Sequence, residues 1–176
     1  MKTKSTLLLI LTVLIAGCSI ENNENIQESI TADRLYGTGD DPVLCTQTDL
    51  IAGQNQTIGT VSVFTDGTTV TVCYEVIAGW TLDATHLYIG DCAERPSNNP
   101  GNPMIGQFPY SSEHQGETTV CYEIDRSTLP SGVICVAAHA EAEGTTSETA
   151  WGCCLPYGGA SWAMYFEVDL DACLPS

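Results

Sequence analysis

Nine cysteines in 176 residues constrain this chain more than any other feature. Cys18 stands apart near the N-terminus, and the other eight are Cys45, Cys73, Cys92, Cys121, Cys135, Cys153, Cys154 and Cys173. An even set of this kind reads as up to four disulfides if the chain folds in an oxidising compartment. A zinc site is the competing reading and the weaker one. No Cys-x-x-Cys occurs, and the thiols are scattered through separate segments rather than grouped at ligand spacing. Cys153 and Cys154 are neighbours, and closing a ring between them introduces strain, so each is expected to reach a different partner. Cys45 and Cys173 bracket the folded region and are suited to tying its ends together. Spacing alone leaves the remaining connectivity open.

The compartment is read from the N-terminus. Lys2 and Lys4 precede an almost wholly apolar run over residues 6–16. That run is too short to span a bilayer as a helix, which takes roughly 20 apolar residues. It ends in Leu14-Ile15-Ala16-Gly17-Cys18, which resembles the lipobox of bacterial lipoproteins. The resemblance implies a signal peptide over residues 1–17, cleavage before Cys18, and a diacylglyceryl group with palmitate-type chains on the Cys18 thiol. Each buried methylene contributes about 0.8 kcal/mol, so two or three chains hold a protein on a membrane without a spanning helix. No later segment is long and apolar enough to span, and the rest of the chain is expected outside the bilayer. Ser19 occupies the position where an aspartate would resemble an inner-membrane retention signal. Glu21 and Glu24 resemble the acidic tags that send some lipoproteins outward. The expected address is the cell envelope, at the outer membrane or cell surface rather than the inner membrane.

Charge narrows the partners. The five basic residues are Lys2, Lys4, Arg34, Arg95 and Arg126, against 22 acidic side chains, for a formal charge of −17. Such a surface repels nucleic acid and anionic headgroups and favours cations or basic partners. Nucleic acid is excluded as a ligand.

Beyond Cys18, residues 18–42 are polar and acidic without apolar periodicity, as in a flexible tether. Residues 43–176 form the expected single β domain. Val61 and Val63 alternate with Ser62 and Phe64; Asp66-Gly67 supplies a positive-φ turn; Val70, Val72, Tyr74 and Val76 resume on one face. A short strand is expected near residues 85–90. Residues 91–116 contain Pro96, Pro100, Pro103 and Pro109 and are expected to be loop, because proline lacks the donor a central strand needs. Phe108 and Tyr110 argue that this loop packs down near its end. Val120-Cys121-Tyr122-Glu123 echoes Val72-Cys73-Tyr74-Glu75, with tyrosine and aliphatics on one face and cysteine and glutamate on the other. Further strands are expected over residues 132–143 and 162–171. No helical periodicity persists over three turns. The pattern predicts an all-β, disulfide-stapled antiparallel sandwich of about six to eight strands, with a barrel as the alternative.

Few residues offer chemistry. His139, Glu141 and Glu143 alternate with alanines, so a strand projects all three from one face, where an imidazole and carboxylates could take a divalent cation. Spacing of i, i+2, i+4 is wide for one ion, and a solvated acidic face is the simpler account. His86 and His114 are further nitrogen donors with no spacing that places them nearby. Trp80 and Trp151 sit beside glycines in turn-like contexts and could offer a sugar-stacking platform, although aromatics more often fill cores. No catalytic residue is assigned: no Gly-x-Ser-x-Gly occurs, and a free catalytic thiolate fits poorly with an oxidised, even cysteine set.

A second resemblance is carried by Gly79-Trp80, Thr85-His86-Leu87-Tyr88-Ile89-Gly90, Gly106-Gln107-Phe108-Pro109-Tyr110, Ala137-Ala138-His139-Ala140 and Glu148-Thr149-Ala150-Trp151-Gly152. This series resembles an uncharacterised group of secreted bacterial β domains over residues 51–166. It implies coupling among His86, His139, Glu148 and Trp151, and no particular substrate. The resulting expectation is a membrane-anchored, non-catalytic binding or structural module for a glycan, a protein or an envelope component. A divalent-cation-dependent binding protein and a carboxylate–histidine hydrolase are the alternatives. No cofactor is expected, a divalent cation aside.

Overall fold

The computed structural model describes residues 41–173; the expected signal peptide, the expected lipidation site Cys18 and residues 18–40 of the expected tether lie outside them. The described chain is all β. Its strands are β1 (Val43–Ala52), β2 (Gln56–Thr65), β3 (Thr69–Val76), β4 (Thr81–Gly90), β5 (Tyr110–Glu117), β6 (Thr119–Asp125), β7 (Val133–Glu143), β8 (Ser147–Gly152), β9 (Leu155–Pro156) and β10 (Met164–Asp169). Short 3-10 turns are the helical elements present. None of the described helices is long and apolar enough to cross a membrane.

One antiparallel sheet runs in the order β5-β4-β7-β8-β1-β2-β3-β6, with β10 paired to β7 and β9 to β10. The sheet is nearly closed into a barrel, and its two ends face each other. The Tyr74 hydroxyl on β3 donates to the His86 carbonyl on β4 at 3.0 Å. The Tyr122 hydroxyl on β6 lies 2.7 Å from the Thr85 hydroxyl on β4.

Alternation builds the core. Val61, Val63, Val70, Val72, Tyr74, Leu87, Ile134 and Val136 have no exposed surface and point inward, as strand periodicity requires. The β2–β3 hairpin turns where expected, with Gly67 at φ +90°. Asp66 Oδ1 closes the turn, accepting from the backbone of Thr68 and Thr69 at 2.8 and 2.7 Å. These bonds hold the Asp66 carboxyl below its ordinary value.

The two Val-Cys-Tyr-Glu segments are adjacent antiparallel strands in which Cys73 faces Cys121. These two cysteines form a disulfide, as do Cys45 with Cys173 and Cys92 with Cys135. Cys45–Cys173 ties the first strand to the end of the described chain, as its bracketing position suggests. Cys153 and Cys154 depart from expectation: their sulfurs lie against each other rather than reaching separate partners. The reason is topological. The other six described cysteines are taken in pairs, and both residues fall in the short connection between β8 and β9.

The expected loop over residues 91–116 is also corrected at its end. Tyr110–Glu117 is an edge strand on β4, with Ser111, Ser112, Glu113, Gln115, Gly116 and Glu117 exposed. An edge strand that buries neither face has no apolar alternation to read, and its charges are what protect such edges from further pairing.

Candidate functional site

Every sheet has two faces, and around β4 and β7 both are covered. Inward go Leu87, Ile89, Ile134, Val136, Ala138 and Ala140. Outward go Tyr88 and Ala137, which join Phe108, Trp151, Tyr157 and Ala163 in a second, smaller apolar cluster. The cover consists of two irregular segments, residues 91–109 and 153–163.

These segments hold each other. Asn102 Oδ1 accepts from the backbone N–H groups of Ala160 and Ser161, both at 2.9 Å. The Tyr157 hydroxyl donates to the Pro96 carbonyl at 2.8 Å. Gly159, at φ +67°, brings the second segment so close that a Cβ there would meet the Asn102 nitrogen at 2.7 Å. Arg95 stacks over Tyr165 with its guanidinium carbon 4.0 Å from the ring centroid, and lies 5.3 Å from that of Tyr157. It also donates to the Cys92 carbonyl at 2.9 Å. Burial pushes the Tyr157 phenol up to about 12, with the Arg95 charge acting in the opposite sense. The first segment is anchored to β7 by Cys92–Cys135. At its foot opens a groove of about 500 Å³ lined in part by Tyr88, Asp91, Glu94, Leu129 and Pro130.

Beside this layer lies a row of rings. His86 on β4 is directly opposite His139 on β7, and His139 is opposite Trp151 on β8. The two Nδ1 atoms are 3.3 Å apart. The His139 ring centroid is 4.8 Å from that of Trp151. Burial, followed by the proximity of His86, lowers the pKa of His139 to about 4. The third histidine goes elsewhere: His114 Nε2 lies 2.7 Å from the hydroxyl of buried Thr85, which faces the barrel interior.

Several sequence-derived sites are redrawn by this geometry. Glu141 and Glu143 are exposed while His139 is 4% exposed and turned toward rings, so the three do not converge. Glu148 does not join His86 and His139. It lies three residues before Trp151 on β8 and so on the opposite face of the strand, and its carboxylate lies near Gly53 and Thr146. Trp80 and Trp151 are 8% and 2% exposed and offer no stacking platform. Trp80 packs in the main core beneath Gly144, and Trp151 in the second cluster. Gly152 beside Trp151 marks tight packing against Phe166 and Ala138, whereas Gly79 beside Trp80 supplies a positive-φ turn with open space around it. Among the described residues, three potential metal-ligating side chains come within 4.8 Å of one another at Cys92, Cys135 and Glu167, and both sulfurs there are already bonded. Of the four residues that the second resemblance couples, His86, His139 and Trp151 stand in one cross-strand row and Glu148 does not; what sequence reasoning missed is the direct register that sets the two imidazoles against each other.

Searches with the chain against protein families, curated proteins and solved structures gave no match.

Proposed function

We propose that this chain is a lipid-anchored protein of the bacterial envelope whose β domain is a non-catalytic binding module, with the paired segments 91–109 and 153–163 as its ligand face. One observation carries the reading. A proline- and asparagine-rich segment and a second one turning at Gly158-Gly159 are held in a single arrangement on a disulfide-stapled sheet by Asn102, Arg95 and Tyr157. Irregular surface segments displayed on a rigid scaffold are where binding residues concentrate, and preorganisation lowers the ordering cost of association. The adjoining groove carries Asp91 and Glu94, and the acidic chain favours a basic protein surface over an anionic polymer. Anchorage rests on Leu14-Ile15-Ala16-Gly17-Cys18.

The test uses the full chain extracted in detergent, with pull-down from envelope extracts and a glycan array run in parallel. A ligand should be retained by the native chain and lost with Glu94→Lys or Leu155→Asp, both exposed positions. Capture unchanged in both variants, or hydrolysis of a polymer by the purified protein, would overturn the binding face. Mass spectrometry of the same material should find an acylated N-terminal Cys18. An intact leader, or an unacylated start elsewhere, removes the anchor.

A further inference from the structure

We infer that His86 and His139 form a two-imidazole site for a divalent transition metal of the zinc–copper class on the outer face of the β4–β7 pair. The inference depends on neither the loop face nor the anchor. The two residues are cross-strand partners in register, and the atoms that meet are Nδ1 and Nδ1, at 3.3 Å. Two neutral imidazoles share such a contact only by placing one proton between two lone pairs, whereas a cation uses both. Two nitrogens bound to one zinc ion at their usual length and a tetrahedral angle stand about 3.3 Å apart. The rings therefore already have the bite of a chelate.

The scaffold keeps them there. The Tyr74 hydroxyl holds the His86 carbonyl from inside the barrel. Trp151 packs against the His139 ring. Cys92–Cys135 clamps the same strand pair where Gly90 faces Cys135, four register positions away. Ligands locked by packing lose little freedom when an ion arrives. His139 is buried, while His86 is half-buried and leaves an approach from solvent. Water can complete the coordination sphere. Exposed Glu113 and Glu141, each paired with Ala84 in the neighbouring row, raise the local concentration of cations. Nitrogen donors select borderline metals, copper above zinc, over calcium and magnesium.

Calorimetry on the untagged full chain in detergent, near neutral pH, tests this with zinc chloride, copper(II) chloride and calcium chloride in separate titrations. Zinc and copper should each bind saturably at one equivalent, copper more tightly, with no comparable calcium heat. His86→Ala should weaken zinc binding at least about tenfold, since loss of even a ligand's supporting partner costs that much. His114→Gln should leave it unchanged. Nitrogen chemical shifts in the native chain give a readout independent of any variant's folding: zinc should move Nδ1 of both His86 and His139. Absence of saturable zinc and copper binding, equal binding in His86→Ala, or shifts confined to His114 would overturn the site.

Discussion

The β3–β6 and β4–β7 strand pairs are built alike and finished differently. Both are antiparallel, both bury aliphatic residues inward, and each contains a cysteine of one disulfide beside or within the pair. On β3–β6 the outward residues are Thr71, Cys73, Glu75, Cys121 and Glu123, which face solvent or lie half-buried. On β4–β7 the outward residues are His86, Tyr88, Ala137 and His139; a second apolar layer takes in Tyr88 and Ala137, and the two histidines stand beside it. The same pleat thus ends as a plain surface in one place and as a small second core in the other. What separates them is the chain between strands: a tight Gly116–Thr118 reversal leads into β6, whereas long irregular segments fold back over β7.

Disulfide removal is the largest expected way to sharpen this contrast. Cys92–Cys135 and Cys73–Cys121 close similar lengths, with sequence separations of 43 and 48. Chain entropy alone predicts about 4 kcal/mol for each. Paired serine substitutions should therefore lower thermal stability by comparable amounts, but limited proteolysis should cut within residues 91–109 only in the Cys92/Cys135 variant. Equal cleavage in both variants would erase the distinction between the two pairs.

Next comes the second core itself. Phe108 is 5% exposed and contacts Tyr88, Trp151 and Tyr157. Phe108→Ala should cost about 3 kcal/mol, expressed as faster hydrogen exchange in the covering segments while the β2–β3–β6 amides keep their protection. Uniform loss of protection would mean that the layer and the barrel unfold as one unit.

Protonation gives the third effect. In the metal-free protein His139 titrates at about 4, below its ordinary 6.5. The unfolded chain therefore takes up a proton that the folded chain refuses, and the stabilisation is complete above about pH 6.5 and lost as pH falls toward 4. The shift corresponds to at most about 3 kcal/mol. His86 across the strand opposes the same protonation, and exposed Glu141 lies further along the same strand. Asp66 and Asp125, held below their ordinary value by local hydrogen bonds, act only at still lower pH. Denaturant titrations from pH 7 to 4.5 should show a declining midpoint that His139→Gln flattens. An unchanged slope would place the acid sensitivity elsewhere.

Legibility in the sequence followed burial. Strands with one dry face and one wet face announce themselves, as β3 and β6 do through Val72, Tyr74, Val120 and Tyr122. Strand β5 was illegible because neither of its faces is dry. Trp80 and Trp151 are buried despite their turn-like contexts, because a glycine neighbour fixes the local backbone and says nothing about which way the adjacent ring points. His139 looked like one member of an acidic row, since alternation tells which residues share a strand face but not what comes to cover it.

Alternating valines, the Asp66-Gly67 turn and the cysteines bracketing the domain determined by themselves an all-β, disulfide-stapled fold, because these are local preferences of backbone and side chain. Tertiary structure decided the near-closure of the sheet and the meeting of His86 with His139. Each of those depends on which distant strands become neighbours and in what register. Register is set by the sum of many weak cross-strand contacts, and no single residue spells it out.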